Sequence, residues 1–416
     1  MKRKRRFVRC PGCGSKIYAT RTVCPGCGRQ MTEAVNKKKR KKAFLVGALL
    51  AAVLVVAIIL GARYIIKRRT EISLDVHIKT DARLYGVTGD AGFERLSTEQ
   101  KKQKLEDCFK KLKDNGLVDS FSYNETEQIY EFTYEDGSLG AAALCSFDKE
   151  LCGIDKSYKK EESDGSVVID STLDLQTLGY SFEKAPTAKV FGFYGSEKLE
   201  KWARKRSEIW ERNGMKTELD TEVTAKKLEK QLSKTDLVIL DAHGFVFKND
   251  TALCFGEKVT KASLQSYSKE LRSGQMIELL TPEGKYLCVM PALFRTHYAQ
   301  GALDKTVVVL GACCTADKDE PSKVMRELGA KAVAAVNGRI FSGYLAQFED
   351  AFVYSLLCGD SVGEAVDFAK SVYGADDALW AMTYDGTPLA LKRSDKGSVS
   401  AVSGADKTLV TLKEVS

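Results

Sequence analysis

The sequence predicts an α/β protein with a membrane helix and a cysteine-containing head, and three observations support this prediction. After about residue 188, apolar runs such as Leu237–Leu240 and Thr306–Leu310 alternate with helical segments, a pattern typical of a mostly parallel sheet with helices on both faces. An uncharged stretch covers residues 43–62, and two closely spaced cysteine pairs precede it. We expect a basic head at 1–42, a membrane helix at 43–66, a small α+β domain at 67–185 and an α/β domain at 186–416.

The positive charge of the chain is concentrated at one end. The net charge of the 416 residues is +8, but residues 1–42 contain 15 Lys and Arg and a single acid, Glu33. The rest of the chain holds 49 basic and 55 acidic residues. This distribution argues against a nucleic-acid partner for the chain as a whole. The 44% of hydrophobic residues excludes a disordered polymer.

The uncharged stretch Ala43–Ala62 has the length of a membrane-spanning helix. Twenty residues at about 1.5 Å each give about 30 Å, the thickness of the hydrocarbon core of a bilayer. A cleaved signal peptide would begin nearer the N-terminus, and a buried core helix would not carry the cationic run 37–42 at its edge. The lipid bilayer is therefore an expected partner. The excess of cations before the stretch predicts a single-pass protein in the cell membrane with a cytoplasmic N-terminus and extracytoplasmic C-terminal domains.

Four cysteines in the head have the spacing of a metal site. Cys10 and Cys13 form one Cys-Pro-Gly-Cys-Gly knuckle, and Cys24 and Cys27 form a second. Four thiolates suit a tetrahedral structural Zn²⁺, and the metal would supply the folding energy of so short a segment. Two disulfides are the alternative, but thiolates agree with a reducing cytosol. The motif resembles the zinc-ribbon heads of many bacterial membrane proteins. The cytoplasmic partner of this head is not indicated, although its basic flanks suit anionic lipid.

The region 67–185 carries secondary-structure signals but no catalytic pattern. We predict a strand at Ile72–Lys79, which contains His77 as a core residue, and a helix at Thr98–Asn115. A hairpin is expected from the turn signal at Asp136-Gly137. Cys145 and Cys152 either pair as a disulfide or remain free thiols.

Two strand ends in the region after 186 present reactive side chains. The run Leu237–Leu240 leads into His243 and Gly244, and the run Thr306–Leu310 leads into Cys313 and Cys314. In a parallel sheet both ends emerge at one edge, so that an imidazole and a thiol lie together, as a nucleophilic cysteine requires. His243 would act on the thiol, and the N–H groups of Gly244 and Cys313 would stabilise an oxyanion. Alternatively, both residues belong to the core and are unrelated.

Two further residues are weaker candidates for this chemistry. Asp241 lies two residues before His243 and would share its face on a strand, so it could orient the imidazole ring. His297 is an alternative catalytic histidine in a segment without a clear position in the sheet.

His243-Gly244 after an apolar strand, followed by the segment from Val307 to Thr315, resembles the caspase-like superfamily of cysteine peptidases. The CHAT domains are the most similar group, and the resemblance covers about residues 188–392. It implies a caspase-hemoglobinase fold and hydrolysis of a peptide or protein substrate without a catalytic metal. It also implies Cys313 as the nucleophile, His243 as the general acid and base, and Gly244 as an oxyanion donor.

The chain departs from the pattern of this superfamily in three places. The interval from His243 to Cys313 is 70 residues, against about 50 in caspases, and the excess is predicted to be a hairpin at Gln275–Met290. Gly311 occupies the position of the usual serine. Cys314 is a second candidate nucleophile, although neighbouring extended residues point in opposite directions and Cys313 is favoured. The alternative function is a catalytically silent interaction module that couples an extracytoplasmic ligand to the cytoplasmic head.

Overall fold

The computed structural model describes most of the chain as two compact units, Met1–Ile72 and Ser73–Ser416. The described residues are 7–18, 21–30, 32–145, 180–193, 197–232, 235–340, 342–373, 379–382, 388–391 and 398–414. Cys152 lies outside them, so the pairing of Cys145 with Cys152 stays a prediction.

The first unit contains a short hairpin and a long helix. Strands β1 (Phe7–Arg9) and β2 (Lys16–Tyr18) pair antiparallel, and helix α1 begins at Thr32 and ends at Thr88. From Gly47 onward α1 is long and apolar enough to cross a membrane. Its large apolar side chains between Leu49 and Ile66 are exposed, an arrangement that is unfavourable in water and natural in lipid. The side of the membrane on which each unit lies stays a prediction.

The last turns of α1 belong to the second unit and correct one sequence prediction. Ile72–Lys79 is helical, so the strand predicted there is wrong. An alternation seen over eight residues does not distinguish a strand from one face of a helix. The buried residues recur at the helical spacing of three and four, which places one face of α1 against the unit. These buried residues are Ser73, Val76, His77, Thr80, Asp81, Leu84 and Thr88.

The second unit alternates strands and helices over most of its length. The helices after α1 are α2 (Thr98–Asp114), α3 (Glu197–Arg212), α4 (Ala225–Gln231), α5 (Lys261–Ser266), α6 (Ser268–Arg272), α7 (Pro291–His297), α8 (Asp319–Glu327), α9 (Ser342–Leu357) and α10 (Val362–Tyr373). The strands are β3 (Val118–Asn124), β4 (Ile129–Tyr134), β5 (Leu139–Ala143), β6 (Tyr180–Phe182), β7 (Thr187–Gly192), β8 (Lys216–Asp220), β9 (Leu237–Asp241), β10 (His243–Phe247), β11 (Asp250–Lys258), β12 (Met276–Thr281), β13 (Gly284–Val289), β14 (Val307–Gly311), β15 (Ala332–Asn337), β16 (Leu379–Met382), β17 (Pro388–Leu391), β18 (Ser398–Ser403) and β19 (Leu412–Glu414).

A six-stranded sheet in the order β18-β15-β14-β9-β7-β8 forms the centre of this unit. All its neighbouring pairs are parallel except β15 with β18, so the prediction of a mostly parallel sheet is confirmed. Alternate strand residues point to opposite faces. Ile239 and Val309 pack with α9 and α10 on one face, whereas Val238 and Val308 pack with α4 and α8 on the other.

A seven-stranded sheet in the order β10-β11-β13-β12-β5-β4-β3 crosses the boundary expected near residue 186. The predicted hairpins β4–β5 and β12–β13 both form, and β5 pairs parallel to β12. Strands β3, β4 and β5 therefore share a sheet with β10, the strand that begins at His243. Helices α5 and α6 are separated by Tyr267, which is the C-cap of the first and the N-cap of the second.

Candidate functional site

The four cysteines of the head lie close together, as their spacing predicts. The Sγ atoms of Cys10 and Cys27 are 3.6 Å apart, and those of Cys13 and Cys24 are 3.5 Å apart. These distances exceed the S–S bond of about 2.05 Å. They are near the edge of about 3.8 Å of a tetrahedron with metal–sulfur bonds of about 2.3 Å. The arrangement is compatible with a zinc site.

The two knuckles repeat one backbone geometry. The N–H of Gly14 donates to the carbonyl of Cys10, and that of Gly28 donates to the carbonyl of Cys24, both at 2.8 Å. Each turn closes at a positive φ, +74° at Gly14 and +69° at Gly28, which glycine adopts without a steric penalty. The Gly-Cys-Gly pattern thus brings both thiols of each pair to the inner side of its turn.

The ends of β9 and β14 meet at one edge of the six-stranded sheet. The two strands are parallel neighbours, with Asp241 opposite Gly311. A Cβ atom built on Gly244 would lie 2.1 Å from the carbonyl oxygen and 2.9 Å from the nitrogen of Cys313. The backbone of Gly244 therefore abuts that of Cys313, and any side chain at position 244 would collide with it.

His243 begins strand β10 and does not lie in a loop. Its register partner on β11 is Cys254, so the antiparallel ladder with β11 positions the residue two positions after the end of β9. The imidazole is half-buried and meets the edge of the Phe193 ring at a centroid distance of 5.5 Å. Because it borders Gly244, His243 is one residue away from direct backbone contact with Cys313.

The two adjacent cysteines have different surroundings. Cys313 is half-buried, and its Sγ lies 3.3 Å from the backbone N of Ile340 and 3.4 Å from the Ile340 carbonyl oxygen. Cys314 is buried at 4% exposure with φ +61°. Burial, together with the charge of Glu127, raises the pKa of the Cys314 thiol far above its usual value. Of the two thiols, Cys313 is thus the more accessible one, whereas the Cys314 thiol is held in its protonated form.

Backbone and hydroxyl hydrogen bonds hold the turn that carries both cysteines. Thr315 Oγ1 donates to the carbonyl of Leu310 at 2.9 Å and accepts from the N–H of Val336 at 3.0 Å. The N–H of Cys314 donates to the carbonyl of Gly338 at 2.6 Å. The turn is thus fastened to β15 and to the segment after it, which includes Ile340.

A buried ionic cluster lies directly behind this edge and explains one departure from the superfamily pattern. Arg206 donates to Asp241 at 3.3 Å and to Glu349 at 2.6 Å. Burial and the neighbouring charge of Asp241 raise the pKa of Glu349 well above its usual value. A Cβ atom on Gly311 would lie 2.4 Å from Asp241 Oδ1 and 2.8 Å from Glu349 Oε1. A side chain at position 311 would therefore require this cluster to shift.

Asp241 was a candidate for orienting His243. The contacts that the structure describes for its carboxylate go to Arg206 and Glu349. The sequence pattern alone did not indicate this cluster, because Arg206 and Glu349 come from α3 and α9, far from Asp241 in the chain. Orientation of the imidazole by Asp241 stays a prediction.

His77 is at the centre of a second cluster that the sequence analysis did not recognise. Its Nδ1 contacts the carboxylate of Glu278, and its Nε2 lies 2.7 Å from Ser138 Oγ and 3.3 Å from Asp136 Oδ2. The ring stacks on Tyr134 at 3.9 Å. Burial alone would lower the pKa of His77, but hydrogen bonds to Asp136 and Glu278 outweigh it and raise the pKa to about 10.

The order serine, histidine, carboxylate is also that of a catalytic triad. Here, however, Ser138 and Glu278 are both 0% exposed and His77 is 2% exposed, so a substrate has no access to them. The cluster instead holds α1 on the seven-stranded sheet. One signal in the sequence could have revealed this cluster: polar residues such as His77 and Asp81 recur at the helical spacing among the buried positions of α1.

His297, the alternative catalytic histidine, lies near two carboxylates on the helical side of the unit. Its Nε2 is 3.5 Å from Glu229 Oε1, and the ligand atoms of Glu229, Glu270 and His297 are within 4.8 Å of one another. These residues belong to α4, α6 and α7, not to the strand ends that carry His243 and Cys313.

Comparisons of the chain with protein-family models and with curated proteins return no match.

Proposed function

We propose that the protein is a membrane-anchored cysteine endopeptidase of the caspase-like superfamily. The observation that carries this proposal is the contact of Gly244 with the backbone of Cys313 at the edge of a mostly parallel sheet. This contact puts the residue that follows His243 against Cys313, which supports the Cys–His dyad that the resemblance implies. A half-buried Cys313 and a half-buried His243 agree with a site that a peptide can reach.

In the proposed mechanism, His243 takes the proton of the Cys313 thiol, and the thiolate attacks the carbonyl carbon of a peptide bond. The N–H groups of Gly244 and Cys313 stabilise the negative oxygen of the tetrahedral intermediate. The C–N bond then breaks as His243 protonates the leaving amine. Water, activated by His243, attacks the thioester, and the carboxylic acid product leaves with the thiol restored.

The proposal is tested by incubating the full-length, detergent-purified chain with a mixed peptide library and identifying new peptide ends by mass spectrometry. We expect cleavage by the parent, a loss of about a thousandfold or more in Cys313→Ala and in His243→Ala, and retained cleavage in Cys314→Ala. Alanine is a fair control at position 314, because the positive φ is equally costly for alanine and cysteine.

Equal activity of Cys313→Ala and the parent would refute the dyad. A parent chain that binds peptides of the library but releases no new peptide ends would favour the silent interaction module.

We also propose that the four head cysteines bind a structural Zn²⁺, which the sulfur spacing supports. Four protein ligands leave no open coordination position, so the metal would stabilise the fold and take no part in catalysis. Metal analysis of the purified chain should find stoichiometric zinc. The zinc should be lost in Cys13→Ser and retained in Cys108→Ser, whose cysteine belongs to the second unit. Zinc contents that are equal in both variants would contradict the site.

A further inference from the structure

The turn between β3 and β4 places a buried carboxylate beside the candidate site. Glu127 is 4% exposed, and its backbone N–H donates to Asn124 Oδ1 at 3.1 Å, which shapes the turn. This turn lies before residue 145 and thus outside the part of the chain that resembles the caspase-like superfamily. A glutamate that is buried to this degree requires a partner.

Arg339 supplies that partner from the segment after β15. Its Nη2 lies 3.3 Å from Glu127 Oε2 and also donates to the backbone carbonyl of Thr126. Arg339 directly precedes Ile340, whose N–H and carbonyl both lie within 3.4 Å of Cys313 Sγ. The ion pair therefore holds the backbone group that borders the candidate nucleophile.

The same carboxylate reaches the strand that carries the histidine. Burial raises the pKa of Glu127, and the backbone N–H of Val246, on β10 three residues after His243, acts in the opposite direction. Glu127 thus lies near two segments, one beginning with His243 and the other bordering Cys313. A half-exposed ion pair would contribute little, but this pair is mostly buried, with exposures of 5% for the Glu127 side chain and 14% for that of Arg339.

We infer that Glu127 and Arg339 are positioning residues that set the placement of Ile340 and β10 around the Cys313–His243 pair. This inference rests on the proposed function and extends it. The catalytic centre would then be incomplete without the residues between α1 and β5. Removal of either partner leaves a buried charge uncompensated, and we expect the segment around Ile340 to shift away from Cys313.

The test compares five forms of the full-length chain: the parent, Glu127→Ala, Glu127→Gln, Arg339→Gln and the control Glu125→Ala. Glu125 lies in the same turn, but its side chain is 74% exposed and pairs with Lys102. The rate of Cys313 alkylation by iodoacetamide is measured by peptide mapping, well below the unfolding temperature of each form, alongside cleavage of the peptide library.

We expect Glu127→Ala and Arg339→Gln to lower both the alkylation rate and the cleavage rate about tenfold or more, because small displacements in a reactive site have effects of this size. Glu127→Gln keeps an oxygen acceptor for Arg339 but not the charge, and its rates should lie between those of Glu127→Ala and the parent. Glu125→Ala should match the parent. If Glu127→Ala or Arg339→Gln fails to fold, Glu127→Gln and its double mutant with Arg339→Gln, in which neither charge remains, provide the comparison.

The outcomes separate this inference from the proposed function. Parental alkylation rates in Glu127→Ala and Arg339→Gln would overturn the positioning pair even if the parent cleaves peptides. If Glu127→Ala and Arg339→Gln slow the alkylation of Cys313 but the parent cleaves no peptide, the positioning pair is supported and the endopeptidase proposal is refuted.

Discussion

Two histidines of the second unit occupy opposite environments. His77 is enclosed by Glu278, Asp136 and Ser138 and stacks on Tyr134. His243 is half-buried at a sheet edge, with its ring against Phe193 and its backbone next to the Gly244–Cys313 contact. Hydrogen bonds to carboxylates stabilise the cation of His77, which makes it a structural group. His243 is more exposed than His77, and we propose that it carries out acid–base chemistry on the Cys313 thiol.

This difference shows that a histidine with apparent triad partners can be structural. For His243 we propose the catalytic role, and solvent access is the property in which the two residues differ most clearly. The variants below test this distinction by the property that each histidine should affect: stability for His77 and thiol reactivity for His243.

The largest expected effect is on stability, from His77→Ala. Removal of the buried cation leaves Glu278 uncompensated, and we expect the free energy of unfolding to fall by about 3–5 kcal/mol. Denaturant unfolding followed by near-ultraviolet circular dichroism measures this change. His297→Ala is the matched control, because its pair with Glu229 is partly exposed and should contribute at most about 1 kcal/mol. Equal losses in both variants would contradict a structural role for the His77 cluster.

The contribution of His77 to the free energy of unfolding should depend on pH. The pKa of His77 is raised from 6.5 to about 10 in the folded state. Its contribution is therefore fully present below about pH 6.5 and is lost as the pH rises through about 10. We expect the parent to lose a few kcal/mol more stability than His77→Ala between these limits. Parallel stability curves for the two proteins over this range would show that the cation is not held as described.

A smaller effect is expected from Gly311→Ala, at the strand end that carries Cys313. The added methyl group would meet Asp241 Oδ1 at 2.4 Å and Glu349 Oε1 at 2.8 Å, and overpacking of this kind costs about 1–3 kcal/mol. Gly86→Ala is the control, since a Cβ atom there meets no atom within 4 Å. Denaturant unfolding compares the two variants, and an unchanged stability of Gly311→Ala would contradict the buried cluster behind the site.

The features that the sequence predicted best depend on short-range patterns. The two cysteine knuckles follow from a local spacing, and the apolar strands β9 and β14 follow from continuous apolar runs. The end of α1 was predicted wrongly, because eight residues around His77 fit both a strand and a helix face.

The features that the sequence did not predict depend on contacts between distant residues. Glu127 and Arg339 are 212 residues apart in the chain, and His77 and Glu278 are 201 residues apart. No local pattern indicates such pairs, because the two residues of each pair come from elements that only the tertiary fold brings together. The different burial of Cys313 and Cys314 likewise depends on the positive φ of the second residue, which the sequence does not indicate.

The central claim is that His243 acts on the thiol of Cys313. The most direct measurement is the rate of Cys313 alkylation at neutral pH in the parent and in His243→Ala, with the modified residue identified by peptide mapping. We predict that His243→Ala keeps the unfolding free energy of the parent within about 1 kcal/mol and slows alkylation about tenfold or more, with Cys314 unmodified in both proteins. Alkylation of Cys313 at the same rate in both proteins would contradict the claim.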